Sequence, residues 1–162
     1  MKLLSREKSG IFGESIVLGQ LISLGHAVKF AKSNQKGHDL RILGSIEQRI
    51  EVKHIQRTGS SSNDSFILKG GQSSPNSFNY LVLLISDCTN KSSISSLKYY
   101  IFSNQEIQSI ISSKKKNLEG SYTFNLSNDG LRLAGKDLSK FHNKWDKIQN
   151  QCHTESIIHS SN

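Results

Sequence analysis

Asp39, Glu51 and Lys53 interrupt two short apolar runs within residues 38–56, HDLRILGSIEQRIEVKHIQ. A charge in such a run is costly to bury unless it is paired, binds a metal or does chemistry. Side chains alternate along a strand, so Glu51 and Lys53 share one face while Ile50 and Val52 point to the other. If residues 38–43 pair as a hairpin with residues 49–55, Asp39 arrives from the neighbouring strand near the same edge. Two adjacent carboxylates repel, and a hard divalent cation such as Mg²⁺ relieves the repulsion. Such an ion lowers the pKa of a bound water and stabilises charge building on a phosphate. A lysine on that face orients or deprotonates the attacking water, or binds the phosphate as a point charge. The competing reading is a structural ion pair at a sheet edge.

The elements that must position these residues follow from hydropathy. A helix is predicted over residues 9–24, ended by Gly25 at its C′ position. At about 100° per residue, Ile11, Val17, Leu18, Leu21, Ile22 and Leu24 fall within one arc. Glu14 falls inside that arc, so its carboxylate is expected on the core side; the alternative is an acid favoured by the helix dipole. Phe12 and Ile16 fall opposite, which suggests a second contact surface. Strands are expected at residues 26–30, 38–43, 49–55, 80–85 and 98–102, with residues 66–68 a short strand or an edge segment, and Tyr122, Phe124 and Leu126 alternate as a late strand. Ser103 with Glu106 spells a capping box for a helix over residues 104–112. Leu138, Phe141, Trp145 and Ile148 fall on one stripe of a last helix, with Lys136, Lys140, Lys144 and Lys147 as a basic stripe opposite. Residues 57–65 and 70–77 are polar, small and expected to be mobile. The order α-β-β-β-β-β-α-β-α predicts an α/β domain over residues 1–150, a mixed sheet flanked by helices, with residues 151–162 as a frayed tail.

Lys and Arg total 21 against 13 acids, a formal +8 with a pI near 9.6. Such an excess suggests a polyanionic partner, usually nucleic acid, against the plainer reading of solubility charge. No apolar run reaches the roughly 20 residues of a membrane helix, and the N-terminal MKLLSREKSG lacks the apolar core of a signal peptide. Cys88 and Cys152 are far apart and neither begins a C-x-x-C, so free thiols in a cytoplasmic chain are expected. His153 beside Cys152 lies in the tail and carries no metal reading. His54 alternates onto the Val52 face and is a weak site candidate. Gly130-LRLA-Gly135-Lys136-Asp137 nearly spells a P-loop, but Asp137 stands where a Ser or Thr must bind Mg²⁺.

Asp39 followed by Glu51-Val52-Lys53 resembles the signature of the PD-(D/E)XK nuclease superfamily, with His38 in place of the proline. Residues 9–56 resemble archaeal Holliday-junction resolvases and restriction-endonuclease-like proteins, and Glu14 matches an acid many members place on the first helix. The resemblance implies a restriction-endonuclease-like core and a Mg²⁺-dependent DNA endonuclease, with Mn²⁺ as a substitute ion. It implies Asp39, Glu51, the Val52 carbonyl and Glu14 as metal ligands, Lys53 acting on the nucleophile, and Gln56 as a further polar site position. Lys36, Arg57, Lys69, Lys140 and Lys144 are expected on DNA. Cutting both strands symmetrically calls for a homodimer, with Phe12 and Ile16 as the apolar contact. The alternative is a nuclease-fold protein that binds nucleic acid without cutting it.

Overall fold

Apolar alternation builds the sheet, and a computed structural model describes the result for residues 5–32, 37–58, 64–90 and 93–148. Helix α1 (Arg6–Ser23) starts at Ser5, whose hydroxyl accepts from Lys8 N at 3.4 Å, and ends before Gly25, whose φ of 88° lets the chain reverse. Strands β1 (Val28–Phe30), β2 (Leu40–Ile42) and β3 (Gln48–Thr58) follow as an antiparallel meander. After β4 (Ser65–Leu68), β5 (Tyr80–Asn90) runs parallel to β3, from Ile50↔Tyr80 to Thr58↔Cys88, and β6 (Ser93–Ser103) returns antiparallel to it. The five-stranded sheet has the order β1-β2-β3-β5-β6, the expected mixed α/β arrangement. Helix α2 (Asn104–Ile111) carries the expected capping box of Ser103 and Glu106. Strand β7 (Tyr122–Asn125) pairs with β4 as a separate ribbon.

Alternation along β5 feeds two cores. Val82 and Leu84 meet α1 through Val17 and Leu21, with Leu40, Ile50 and Val52 in the same cluster. Leu81, Leu83 and Ile85 meet Phe66, Phe124, Ile107 and Ile110 under the ribbon and α2. Glu51, Lys53 and Ile55 stand on this second side of β3.

Three expectations need correction. The buried face of α1 is centred elsewhere than the apolar arc: Phe12 and Ile16 pack against the core, whereas Ile11 and Ile22 are more than half exposed. Gly13 lies in the middle of the packed face, where a Cβ would sit 2.7 Å from His54 Cβ; a pattern centred on a glycine is easily misread. Second, no α-helix carries the last stripe. The chain makes two 3-10 turns, Ser139–Phe141 and Trp145–Lys147, with Asn143 at positive φ between them. Leu138 and Phe141 fill the α2-side core while Trp145 and Ile148 fill the α1-side core, because this segment crosses the edge of the sheet beside β6. The basic stripe therefore dissolves, and Lys147 pairs with Glu106 at 2.7 Å.

Third, residues 70–77 are tied down: Ser77 Oγ donates to Gln72 O at 2.8 Å, and Gln108 Nε2 donates to Ser73 O at 3.0 Å. The near-P-loop, already set aside as a nucleotide site, is a hairpin of β8 (Arg132–Leu133) and β9 (Lys136–Asp137), turned by Ala134 and Gly135, both at positive φ. Residues 59–63 of the other polar stretch, Lys36, Cys152 and His153 lie outside the described residues. Among the described residues no helix is long and apolar enough to cross a membrane.

Candidate active site

Where β2 ends, the sheet leaves one edge of β3 open, and Asp39 closes it with a side chain. Asp39 N donates to Ile50 O at 2.9 Å, and Val52 N donates to Asp39 Oδ2 at 2.7 Å. The N–H and C=O of one strand residue point the same way, so the Val52 carbonyl faces the same edge. A cleft of about 230 Å³ opens there, lined by Glu14, Asp39, Val52, Lys53, Ser65 and Ile67 among others.

Glu51 is fully buried beside it, on the β3 segment that also carries the cleft residues Val52 and Lys53. Its Oε1 is 2.8 Å from Lys53 Nζ and accepts from Gln72 Nε2 at 2.6 Å. Its Oε2 is buried and has no hydrogen-bond partner among the described residues, an arrangement expensive for an anion. Burial pushes the Glu51 carboxyl up to about 7; the Lys53 charge opposes this, and Asp39 and Glu14 add to it. Glu14 is likewise raised to about 6, by burial and then by Asp39, with Lys53 opposing. Burial raises Asp39 too, against the hydrogen bond from Val52. The three acids thus feel one another's charge across the cleft. Among the described residues no three His, Cys, Asp or Glu side chains already close up as a metal-binding group. The orphaned Glu51 oxygen, the second oxygen of Asp39, the Val52 carbonyl and Glu14 nevertheless make an all-oxygen donor set, which suits a hard cation.

The structure brings Glu14, Asp39, Glu51, Val52 and Lys53 together as expected, and leaves Gln56 out. Gln56 follows the Val52 face and donates to Cys88 Sγ at 3.4 Å. His54, on that face as well, is held between Ser9 and Ser86 hydroxyls, each at 2.8 Å. Arg57, expected on DNA, is committed within the fold: it pairs with Asp64 at 3.0 Å and donates to Asn128 O at 2.6 Å. Gly130 admits it, since a Cβ there would lie 2.1 Å from Arg57 Nη1. Lys69, Lys140 and Lys144 are exposed. The residue sequence reasoning missed is Gln72, which comes from a polar turn with no periodicity to mark it. A larger cleft of about 390 Å³ lies beside α2, but its acid, Glu106, is already committed to the capping box and Lys147.

No family model matches this chain, and no curated protein sequence matches it. Among solved structures, the bacterial homing endonuclease I-Ssp6803I is similar, with a TM-score of 0.59 over 90% of this chain and 93% of that one. The two are 14% identical. The likeness is one of fold. It spans nearly the whole of both chains.

Proposed function

We propose that this chain is a divalent-metal-dependent endonuclease that hydrolyses phosphodiester bonds in DNA, with a site of the PD-(D/E)XK kind. The observation that carries the reading is Glu51: fully buried, one oxygen held by Lys53 and Gln72, the other unbonded, and two further carboxylates within electrostatic reach. One lysine does not neutralise three acids, whereas a divalent cation together with Lys53 does. Glu51, Asp39, the Val52 carbonyl and Glu14 would hold Mg²⁺, or Mn²⁺ in its place. Such an ion supplies neutralisation of phosphate charge and a lowered pKa for water.

The chain's own groups do the rest. The Lys53 ammonium, at the cleft wall, binds a phosphate oxygen or orients the attacking water. Glu14, at the cleft wall, helps hold the ion or position the attacking water, which gives its proton up to solvent. The water oxygen bonds phosphorus as the opposite P–O bond breaks in line, and the released sugar oxygen takes a proton from solvent. The exposed Lys69, Lys140 and Lys144, within a chain of net +8, are proposed contacts to the DNA backbone.

A second reading, binding without cutting, draws on the closed Lys53–Glu51 pair, which is also what a structural ion pair looks like. Labelled linear duplex and labelled four-way junction, each incubated with Mg²⁺ or with EDTA, separate the two. Cutting of either substrate in Mg²⁺ alone is the expected result. Binding of both with no cut in Mg²⁺ or Mn²⁺ establishes the second reading instead.

A further inference from the structure

The β4–β7 ribbon borders the cleft, and its two faces differ in chemistry. Its strands pair from Ser65↔Asn125 to Leu68↔Tyr122. Alternation turns Phe66, Leu68 and Phe124 inward, where the Phe66 and Phe124 rings stack at 4.8 Å. The outer row is Ser65, Ile67, Thr123 and Asn125, with Ser65 and Asn125 exposed and the other two half-buried. Among the described residues, no hydrogen bond occupies the side chains of Ser65, Thr123 or Asn125. Ser65 and Ile67 also line the cleft, so this row begins at the wall that Asp39 and Lys53 share.

Positive charge collects at the other end of the ribbon. Lys116 Nζ lies 5.8 Å from the Tyr122 ring centroid. Lys115 is exposed, and the exposed Lys69 directly follows Leu68, the partner of Tyr122. At about 3.3 Å per residue, Lys69 stands roughly 13 Å along β4 from Ser65, where the row meets the cleft. That distance suits a duplex whose backbone lies on the lysines while its cut phosphate enters the cleft.

The major groove of a B-form duplex admits a two-stranded ribbon. The outer row has the chemistry to read one: an Asn amide pairs with both edge atoms of adenine, hydroxyls accept or donate, and an apolar side chain meets the thymine methyl. We propose that the outer face of the β4–β7 ribbon reads the major groove of double-stranded DNA, selecting the sequence delivered to the cleft, with Lys69, Lys115 and Lys116 on the phosphates. This rests on the endonuclease reading for its substrate, and it is tested by binding rather than by cutting.

The full chain and its variants are used to enrich a random-sequence duplex DNA pool in EDTA. Wild type is expected to enrich a preferred sequence. Asn125→Ala and Thr123→Val should each relax preference at one position by on the order of tenfold to a hundredfold, with non-specific affinity retained. Lys115→Ala with Lys116→Ala should weaken binding to every sequence and lower the salt slope by about one unit per lysine, leaving preference intact. Unchanged preference in both Asn125→Ala and Thr123→Val overturns the proposal, as does an absence of enrichment by wild type. Tighter binding to duplex RNA overturns it too, because the A-form major groove is closed to a ribbon. If DNA is cut yet both variants keep the wild-type preference, the ribbon proposal falls and the endonuclease reading stands. If preference depends on the ribbon and nothing is cut, the reverse holds.

Discussion

Glu51 in metal-free protein holds its proton more tightly folded than unfolded, since burial raises it from 4.5 to about 7. Stability from this group is therefore full below about pH 4.5 and is lost as pH rises through about 7, by on the order of 3 kcal/mol. His26, His38 and His54 are lowered by burial and act in the opposite sense. The difference between wild type and Glu51→Gln isolates Glu51: in EDTA, urea midpoints from pH 5 to 8 should fall for wild type relative to the variant. Gln72 acts on the same carboxylate from outside the donor set, with its 2.6 Å hydrogen bond to Oε1. Gln72→Ala should slow single-turnover cleavage about tenfold to a hundredfold while the fold persists, as loss of a partner that orients a metal-binding carboxylate does. Asp39, Glu51 and Lys53 were legible in the sequence because charges stood out in apolar strand patterns. Gln72 was not, since its position depends on how a turn folds back over β3. Gln56 was legible only by resemblance, and strand alternation alone argued against it.

At the scale of elements, α1 brings Glu14 to the cleft by packing its Gly13 against His54 of β3, so the contact distance of one helix sets one acid's position. Gly13→Ala places a Cβ 2.7 Å from His54 Cβ and must push α1 outward. A cost of about 1–3 kcal/mol is expected, with reduced cleavage, measured by thermal unfolding beside the nuclease assay. Gly19→Ala is the control: nothing lies within 4 Å of its Cβ, and a helix interior favours alanine, so stability should hold or rise. The strands that form the sheet were legible from period-two patterning, and α2 from its capping box. The last segment was not: Leu138, Phe141, Trp145 and Ile148 have helical spacing, yet they serve two cores on opposite sides of the sheet. Periodicity reports that residues are buried, and only the tertiary path says in which core.

For the whole molecule, the proposed endonuclease reading gives each cleft one strand to cut, and symmetric cutting of a duplex then calls for a second copy. Phe12 and Ile16 are taken up by the chain's own core, so a contact between two copies would have to lie elsewhere; α1 exposes Ile11 at 59% and Ile22 at 53%. Light scattering at micromolar concentration is expected to give twice the 18.1 kDa chain mass, and a strict monomer would count against paired cutting. The claim on which all of this depends is that the buried acids hold a divalent ion. Calorimetric titration of Mg²⁺ near pH 7.5 tests it in wild type, Asp39→Asn, Glu51→Gln and Lys53→Ala. The account predicts binding in wild type and in Lys53→Ala, and its loss in the two carboxylate variants, since only these remove an anionic ligand. No binding in wild type, or equal binding in all four proteins, would contradict it and leave Glu51 and Lys53 as a structural ion pair.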